Sequence, residues 1–233
     1  MKMLSHRWIV AAALVAAGCG TGADAGITGV GGSGSARFQV INASATPITL
    51  VVDGQVVMQG IAARSVSSAV AIDAGNRAVE LRSGAGATLA QLNVAALSGK
   101  VVTLASTPQA STGGVSASVV TDTGATVAAG FGKLRVLHLA ASAPVLEIWR
   151  TQPDYQTPIS FAFPFTYGNN SGFDQSTPGA WDVRVWLATS EANASHWTHP
   201  DAQLTVDVPS GVVKTVAVLD AASGTGYQIQ IVP

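Results

Sequence analysis

The strongest constraint on the fold is that the chain repeats itself. RFQVINASATPITLVVD at 37–53 parallels LRVLHLAASAPVLEIWR at 134–150, and IDAGNRAVELR at 72–82 parallels STPGAWDVRVW at 176–186. LNVAALSGKVVTLAS at 92–106 parallels LTVDVPSGVVKTVAVL at 204–219, so that Gly75 aligns with Gly179 and Gly99 with Gly211. The shift is about 100 residues, which predicts one unit used twice with loop-length changes between the copies. Within each copy the apolar residues come in short runs separated by turn residues. The first copy predicts strands over Arg37–Asn42, Ile48–Asp53, Ser65–Ile72, Ala78–Arg82, Leu89–Val94, Val101–Ala105 and Val115–Thr121. The second predicts strands over Leu134–Leu139, Val145–Arg150, Ile159–Phe163, Trp181–Leu187, Gln203–Val208, Lys214–Asp220 and Tyr227–Val232. Several alternate with period two: Leu204, Val206 and Val208 share one face, while Thr205 and Asp207 share the other. No window of twelve or more residues carries a helical stripe.

About seven short strands in about 100 residues is the profile of an immunoglobulin-like sandwich. The expected fold is therefore all-β, with two tandem immunoglobulin-like β-sandwich domains at 36–127 and 133–233 and a boundary within Gly124–Gly132. The alternative is one β-rich domain of about 200 residues, a barrel included. Neither copy has a Cys pair, so the expected sandwiches are disulfide-free.

Ahead of the repeats lies a different kind of sequence. Lys2, His6 and Arg7 precede ten apolar residues, Trp8 to Ala17, a run too short to span a bilayer, which takes about 20 residues. The lone cysteine of the chain, Cys19, follows Ala16-Ala17-Gly18 directly. This order resembles the bacterial lipobox. The resemblance implies a lipoprotein signal peptide at 1–18 and diacylglyceryl modification of Cys19. Several acyl chains on one residue would make a stable membrane anchor. Gly20 next to the cysteine is compatible with the outer membrane rather than the inner. Residues 20–35 hold seven glycines in sixteen positions and predict a flexible tether.

The second copy carries a further resemblance. Val136, His138, Ala141, Ser142, Ala143 and Pro144, then Pro178-Gly179 and Trp181-Asp182-Val183, resemble the bacterial domain of unknown function 4397 family. The first copy departs from the pattern, with Asn42 where the His stands. The resemblance implies an immunoglobulin-like fold, export and cell-surface association, and it brings no established activity.

The chain is short of the residues that chemistry needs. Charged residues are 11% against a typical ~25%, and Lys+Arg at 12 nearly balance Asp+Glu at 13, so no basic stripe predicts nucleic acid as a partner. Gly168-Asn-Asn-Ser171-Gly172 has its serine one place too late for a nucleophile elbow. Gly99-Lys100 and Gly132-Lys133 each run into an apolar residue, which no phosphate-binding loop does. His196, His199 and Asp201 fall within six residues, but Pro200 and the Asn/Ser residues before it predict a solvated loop rather than a metal site. His138, on an apolar strand, is expected to bond a ring nitrogen to the turn backbone. No catalytic, cofactor or metal residues are expected, and no enzyme.

The informative asymmetry is aromatic. Of 14 aromatic residues, 11 lie between 133 and 233. Trp181 and Trp186 should point to opposite faces of one strand, which predicts that one of them faces outward. Trp197 sits in a polar loop, and the segment 152–177, with its run Tyr167-Gly-Asn-Asn-Ser-Gly-Phe173, reads partly as an exposed loop. Trp197, Trp186 and Tyr167 are thus the candidate ligand contacts, for a glycan or protein partner. The predicted function is a non-catalytic binding or adhesion module on the cell envelope. The alternative is a structural envelope component acting as spacer or assembly subunit.

Overall fold

The computed structural model describes residues 34–109, 112–120, 126–153, 156–188 and 199–233. Cys19 and the leader lie outside these residues, as do most of the tether, the first two residues of Gly124–Gly132, Tyr155, His196 and Trp197. Every described element is a strand. The first half contributes β1 (Ser35–Asn42), β2 (Ile48–Val52), β3 (Gln55–Ile61), β4 (Ser65–Val66), β5 (Val70–Asp73), β6 (Gly75–Ser83), β7 (Thr88–Ala96), β8 (Val101–Pro108) and β9 (Val115–Val120). The second contributes β10 (Gly132–His138), β11 (Val145–Gln152), β12 (Gln156–Thr166), β13 (Asp174–Ser176), β14 (Gly179–Leu187), β15 (Ala202–Val208), β16 (Val213–Asp220) and β17 (Tyr227–Val232).

Four sheets result. In the first half one runs β3-β2-β6-β7, and the other runs β4-β1-β8-β9 with β5 also paired to β1. In the second half the same pairings recur as β12-β11-β14-β15 and β13-β10-β16-β17. Even the unusual step recurs: β1 pairs β8 in parallel and β10 pairs β16 in parallel, whereas every other described pairing is antiparallel. Gly75 and Gly179 both adopt φ +129°, a conformation that side chains rarely enter, at the start of β6 and of β14.

Each half is a two-layer sandwich with its own core. Phe38, Val40, Leu50, Leu81, Val94 and Leu104 fill the first. Leu134, Val136, Ile148, Trp181, Val183, Val206 and Val218 fill the second. The expected strands are present and all-β holds. The added ones are β3 and β13, and the expected strand Ser65–Ile72 is broken into β4 and β5. The chain turns back after β2 through Asp53 and Gly54, at φ 49° and 79°, the left-handed pair that a tight hairpin requires. The Gln152–Thr177 segment is also more ordered than expected, since most of its first half is β12.

The inner sheets are buried on both faces. Residues pointing away from each sandwich core meet in a third cluster: Ile41, Ala43 and Ala105 from the first half, and Leu137, Leu139, Ala217, Leu219 and Val232 from the second. Polar bonds edge this seam. Gln228 Nε2 and Gln230 Nε2 donate to the Arg64 carbonyl at 2.7 and 3.1 Å, and Val66 N–H donates to Gln230 Oε1 at 3.0 Å. The Arg64 guanidinium donates to the Ala221 carbonyl. The sheets are stacked four deep, and the seam makes the two halves one packed body.

Candidate functional site

The structure disperses the aromatic candidates. Trp181 and Trp186 do point to opposite faces of β14, but both are 2% exposed, so the expected outward ring is not there. Trp181 lies in the core and donates Nε1–H to the Thr177 carbonyl at 2.8 Å. The row on the opposite face, which Trp186 shares, holds a buried polar network. Arg184 donates to Asp182 Oδ2 at 2.7 Å and to Thr151 Oγ1 at 2.6 Å, and all three residues are buried. Trp197 lies outside the described residues. Among the described residues no cluster of three His, Cys, Asp or Glu is placed to hold a metal, and Asp201 instead accepts the Leu187 N–H at 2.7 Å.

Tyr167 belongs to the seam. Its ring is half-buried, and its hydroxyl donates to the Pro108 carbonyl of the first half at 2.8 Å. Burial, with the charge of Asp220 behind it, pushes the phenol up to about 12, so it stays a donor. The loop that starts there is laced to β10 as a short extra strand. Gly168 N–H donates to His138 O, His138 N–H to Asn169 O, and Ser171 N–H to Val136 O, each at 2.9 Å. The Ser171 hydroxyl in turn accepts Val136 N–H at 3.0 Å.

That loop forms one wall of a cleft of about 400 Å³ between the halves. Ser118, Val119 and Val120 of β9 line the opposite wall, and Ala105, Arg135, Leu137 and Leu139 line the floor. Gly168, Asn169, Asn170 and Phe173 complete it. Arg135 is fixed there: its guanidinium lies 4.3 Å from the Phe173 ring centroid and donates to Thr215 Oγ1 at 3.0 Å from Nη2. Asn169 and Asn170 are exposed. The cleft thus offers amide donors and acceptors, a hydroxyl and one aromatic ring above a floor that is apolar but for the buried Arg135, which is the mixture that polar ligands with apolar faces need. Among the described residues that line it, no nucleophile–base pair is assembled.

The sequence marked the 167–173 loop but missed the opposite wall. Arg135 was detectable as a charge inside the apolar run Leu134–Leu139. Nothing in the order of residues ties Ser118 to Asn169, because the seam alone brings them together.

The arrangement recurs at the level of pairings, and the repeat runs through the segment that carries the family signature. Residues 36–149 match DUF4397, a domain of unknown function. The match covers just under half of the chain. It takes in the first half, β10 and most of β11, and so contains His138 and Ala141–Pro144, while Pro178-Gly179 and Trp181–Val183 fall beyond it. No curated protein matches the chain. Among solved structures, the Bacillus anthracis TIE protein is 7% identical with a TM-score of 0.26, over 84% of this chain and 34% of that one, so the chain spans about a third of its length. A Bacteroides ovatus protein put forward as an adhesin is 11% identical with a TM-score of 0.20, over 85% of this chain and 93% of that one. At these TM-scores neither likeness carries weight for fold or function.

Proposed function

We propose that this chain is a non-catalytic binding or adhesion module of the bacterial cell envelope, and that the cleft between the halves is where it holds its ligand. The observation that carries the reading is the cleft lining: Asn169, Asn170, Ser118 and Phe173 converge over a floor that is apolar but for Arg135, at a junction of packed units. The ligand class that suits it is a glycan. Sugar hydroxyls pair with amides and a hydroxyl, and the apolar face of a sugar ring lies against an aromatic side chain. Export follows from the lipobox resemblance: residues 1–18 are removed, Cys19 is acylated, and 20–35 tether the body to the membrane, the outer one in a Gram-negative cell. The recurrent pairings support two tandem copies of one unit, immunoglobulin-like in kind.

The test is a titration of the detergent-solubilised full chain against envelope and host glycans, read by tryptophan fluorescence and calorimetry. Saturable binding that falls at least tenfold in Asn169→Ala and in Phe173→Ala, and survives Trp186→Phe, is the expected result. Saturable binding untouched by the cleft substitutions would move the site elsewhere. The apolar seam supports a second reading, a rigid envelope spacer, and absence of any glycan binding by the folded chain would favour it. Replacing Cys19 with Ser should release the protein from membranes, and membrane retention of that variant would refute the lipid anchor.

A further inference from the structure

The two halves place different side chains at one position of the same ladder. Asn42 ends β1 opposite Ser106, and His138 ends β10 opposite Val218. Both residues are fully buried. Asn42 is saturated: Nδ2 donates to the carbonyls of Thr46, Ile61 and Ala62 at 2.9, 3.1 and 2.9 Å, and Oδ1 accepts from Ser44 N–H at 3.0 Å and from the hydroxyls of Ser44 and Ser106 at 2.7 and 3.1 Å. The second half keeps none of this. Ala140 stands in place of Ser44 and Val218 in place of Ser106, and neither ring nitrogen of His138 has a hydrogen-bond partner. The ring lies 5.7 Å from that of Phe165 and edge-on to Tyr167 at 5.9 Å, centroid to centroid.

The expected bond from His138 to the turn backbone is met only loosely: neither ring nitrogen has a well-formed partner, yet the Ala143 backbone lies close enough to act on the ring. The Ala143 backbone and the charge of Asp220 favour the protonated ring, but burial outweighs both and lowers the imidazole from the usual 6.5 to about 4. The titratable groups placed around it are Asp220, at the end of β16, and Tyr167. Asp220 is held by the Ser142 hydroxyl at 2.6 Å, and its charge also helps to raise Tyr227 on β17. Both phenols keep their protons at neutral and acid pH, so beside these two tyrosines His138 is the group that can take up a proton in acid. Its backbone carries the cleft loop, and its ring braces the tyrosine that ties the halves together.

We propose that His138 is a proton-responsive support for the cleft loop: when the ring takes up a proton, the 167–171 loop leaves β10, the Tyr167–Pro108 tie opens, and the cleft releases its ligand. The release rests on the cleft being the binding site; the loop opening does not. An imidazolium needs acceptors for two N–H groups; the Ala143 backbone can serve at most one of them, whereas the opened loop gives the other water.

Amide hydrogen exchange of the full chain, without ligand, at pH 7, 6 and 5 tests this, with rates corrected for intrinsic pH dependence. Protection of Gly168 and Ser171 should fall about twentyfold from pH 7 to pH 5 if the open state titrates near 6.5 and the closed state near 4. Amides of the β11–β14 ladder should keep theirs, and His138→Phe should flatten the loop response. Should the Phe variant not fold, His138→Gln is the second probe, and the wild-type imidazole NMR titration is the third, since its charging must track the loop. An equal loss in a folded variant, a ring that charges while the loop stays protected, or a loss shared by the β11–β14 ladder would overturn the proposal. Loop opening found without any glycan binding would sustain the device and defeat the binding reading, so the two fail separately.

Discussion

The strands β6 and β14 occupy the same place in the two outer sheets, and both carry an ion pair on the face turned away from the core. In β6, Arg82 and Glu80 meet with side chains 33% and 24% exposed. In β14, Arg184 and Asp182 meet at 2.7 Å with side chains 2% and 8% exposed. Each arginine–carboxylate pair has a glutamine beside it from the next strand: Gln91 donates to Glu80, and Gln203 accepts from Arg184. The register shows what changed. Glu80 lies where Arg184 lies, and Arg82 lies where Trp186 lies. Where β6 has the half-exposed Arg82, β14 has the buried Trp186, and its own pair sits one step along the strand on a face shut off from solvent. A surface pair is screened and adds little, whereas a buried pair cannot lose one member without stranding the other's charge.

The largest effect should follow from breaking the buried pair. Asp182→Ala leaves Arg184 charged and buried, and also removes the acceptor that Thr205 Oγ1 uses at 2.6 Å. A loss of about 3–5 kcal/mol is expected in chemical denaturation. A loss below 1 kcal/mol would mean that the outer face of β14 opens to water in solution.

Acid should act next, through the His138 contrast with Asn42. The folded-state pKa, about 4, lies below the ordinary 6.5, so between those values the unfolded chain binds a proton that the folded chain does not. His138's contribution is therefore complete above pH 6.5 and is lost as the pH falls toward 4, by on the order of 3 kcal/mol. Asn42 does not titrate, so His138→Asn should flatten this part of the stability–pH curve. An unchanged slope in that variant would assign acid sensitivity to other groups. Asn42→Ala, measured at neutral pH, should cost about 1–3 kcal/mol, because it strips partners from the buried hydroxyls of Ser44 and Ser106 and from three carbonyls.

How much of this was legible depended on how local the cause is. Leu204, Val206 and Val208 alternate with polar residues, and β15 duly puts Val206 and Val208 in the core and Thr205 and Asp207 outside. The aligned pairs Gly75/Gly179 and Gly99/Gly211 share backbone conformations, φ +129° for the first pair and +72° and +78° for the second. The strand β3 was hidden because Val51-Val52-Asp53-Gly54-Gln55-Val56-Val57 reads as one apolar stretch unless the Asp-Gly pair is taken as a hairpin. The seam was hidden for a different reason. Ile41, Ala105, Leu137, Ala217 and Leu219 make their strands continuous apolar runs, which is what burial on both faces demands, but such runs do not say what covers the second face. The cleft inherits that gap, since Ser118 and Asn169 meet only when the halves do. Trp186 differs from the expectation by one step of depth: alternation places it on the outer face, and that face is buried there together with Arg184, Asp182 and Thr151.

The smallest effect sharpens the comparison from the exposed side. Hydrogen bonds from Arg82 first, then from Gln91, hold the Glu80 carboxyl below the usual carboxylate value, so whatever the pair contributes is present above that range and is lost as the pH falls through the folded-state value. Water and salt already screen these charges, and holding two long side chains in one geometry offsets part of the attraction. Arg82→Ala should therefore shift the melting temperature marginally at low salt and not at all in 1 M NaCl, while Asp182→Ala should remain severe in both. The decisive quantity is the salt dependence rather than the size of the shift. A buried pair is shielded from ions by protein, so equal salt sensitivity in the two variants would show that the two outer faces are solvated alike, and that burial is not what separates the halves.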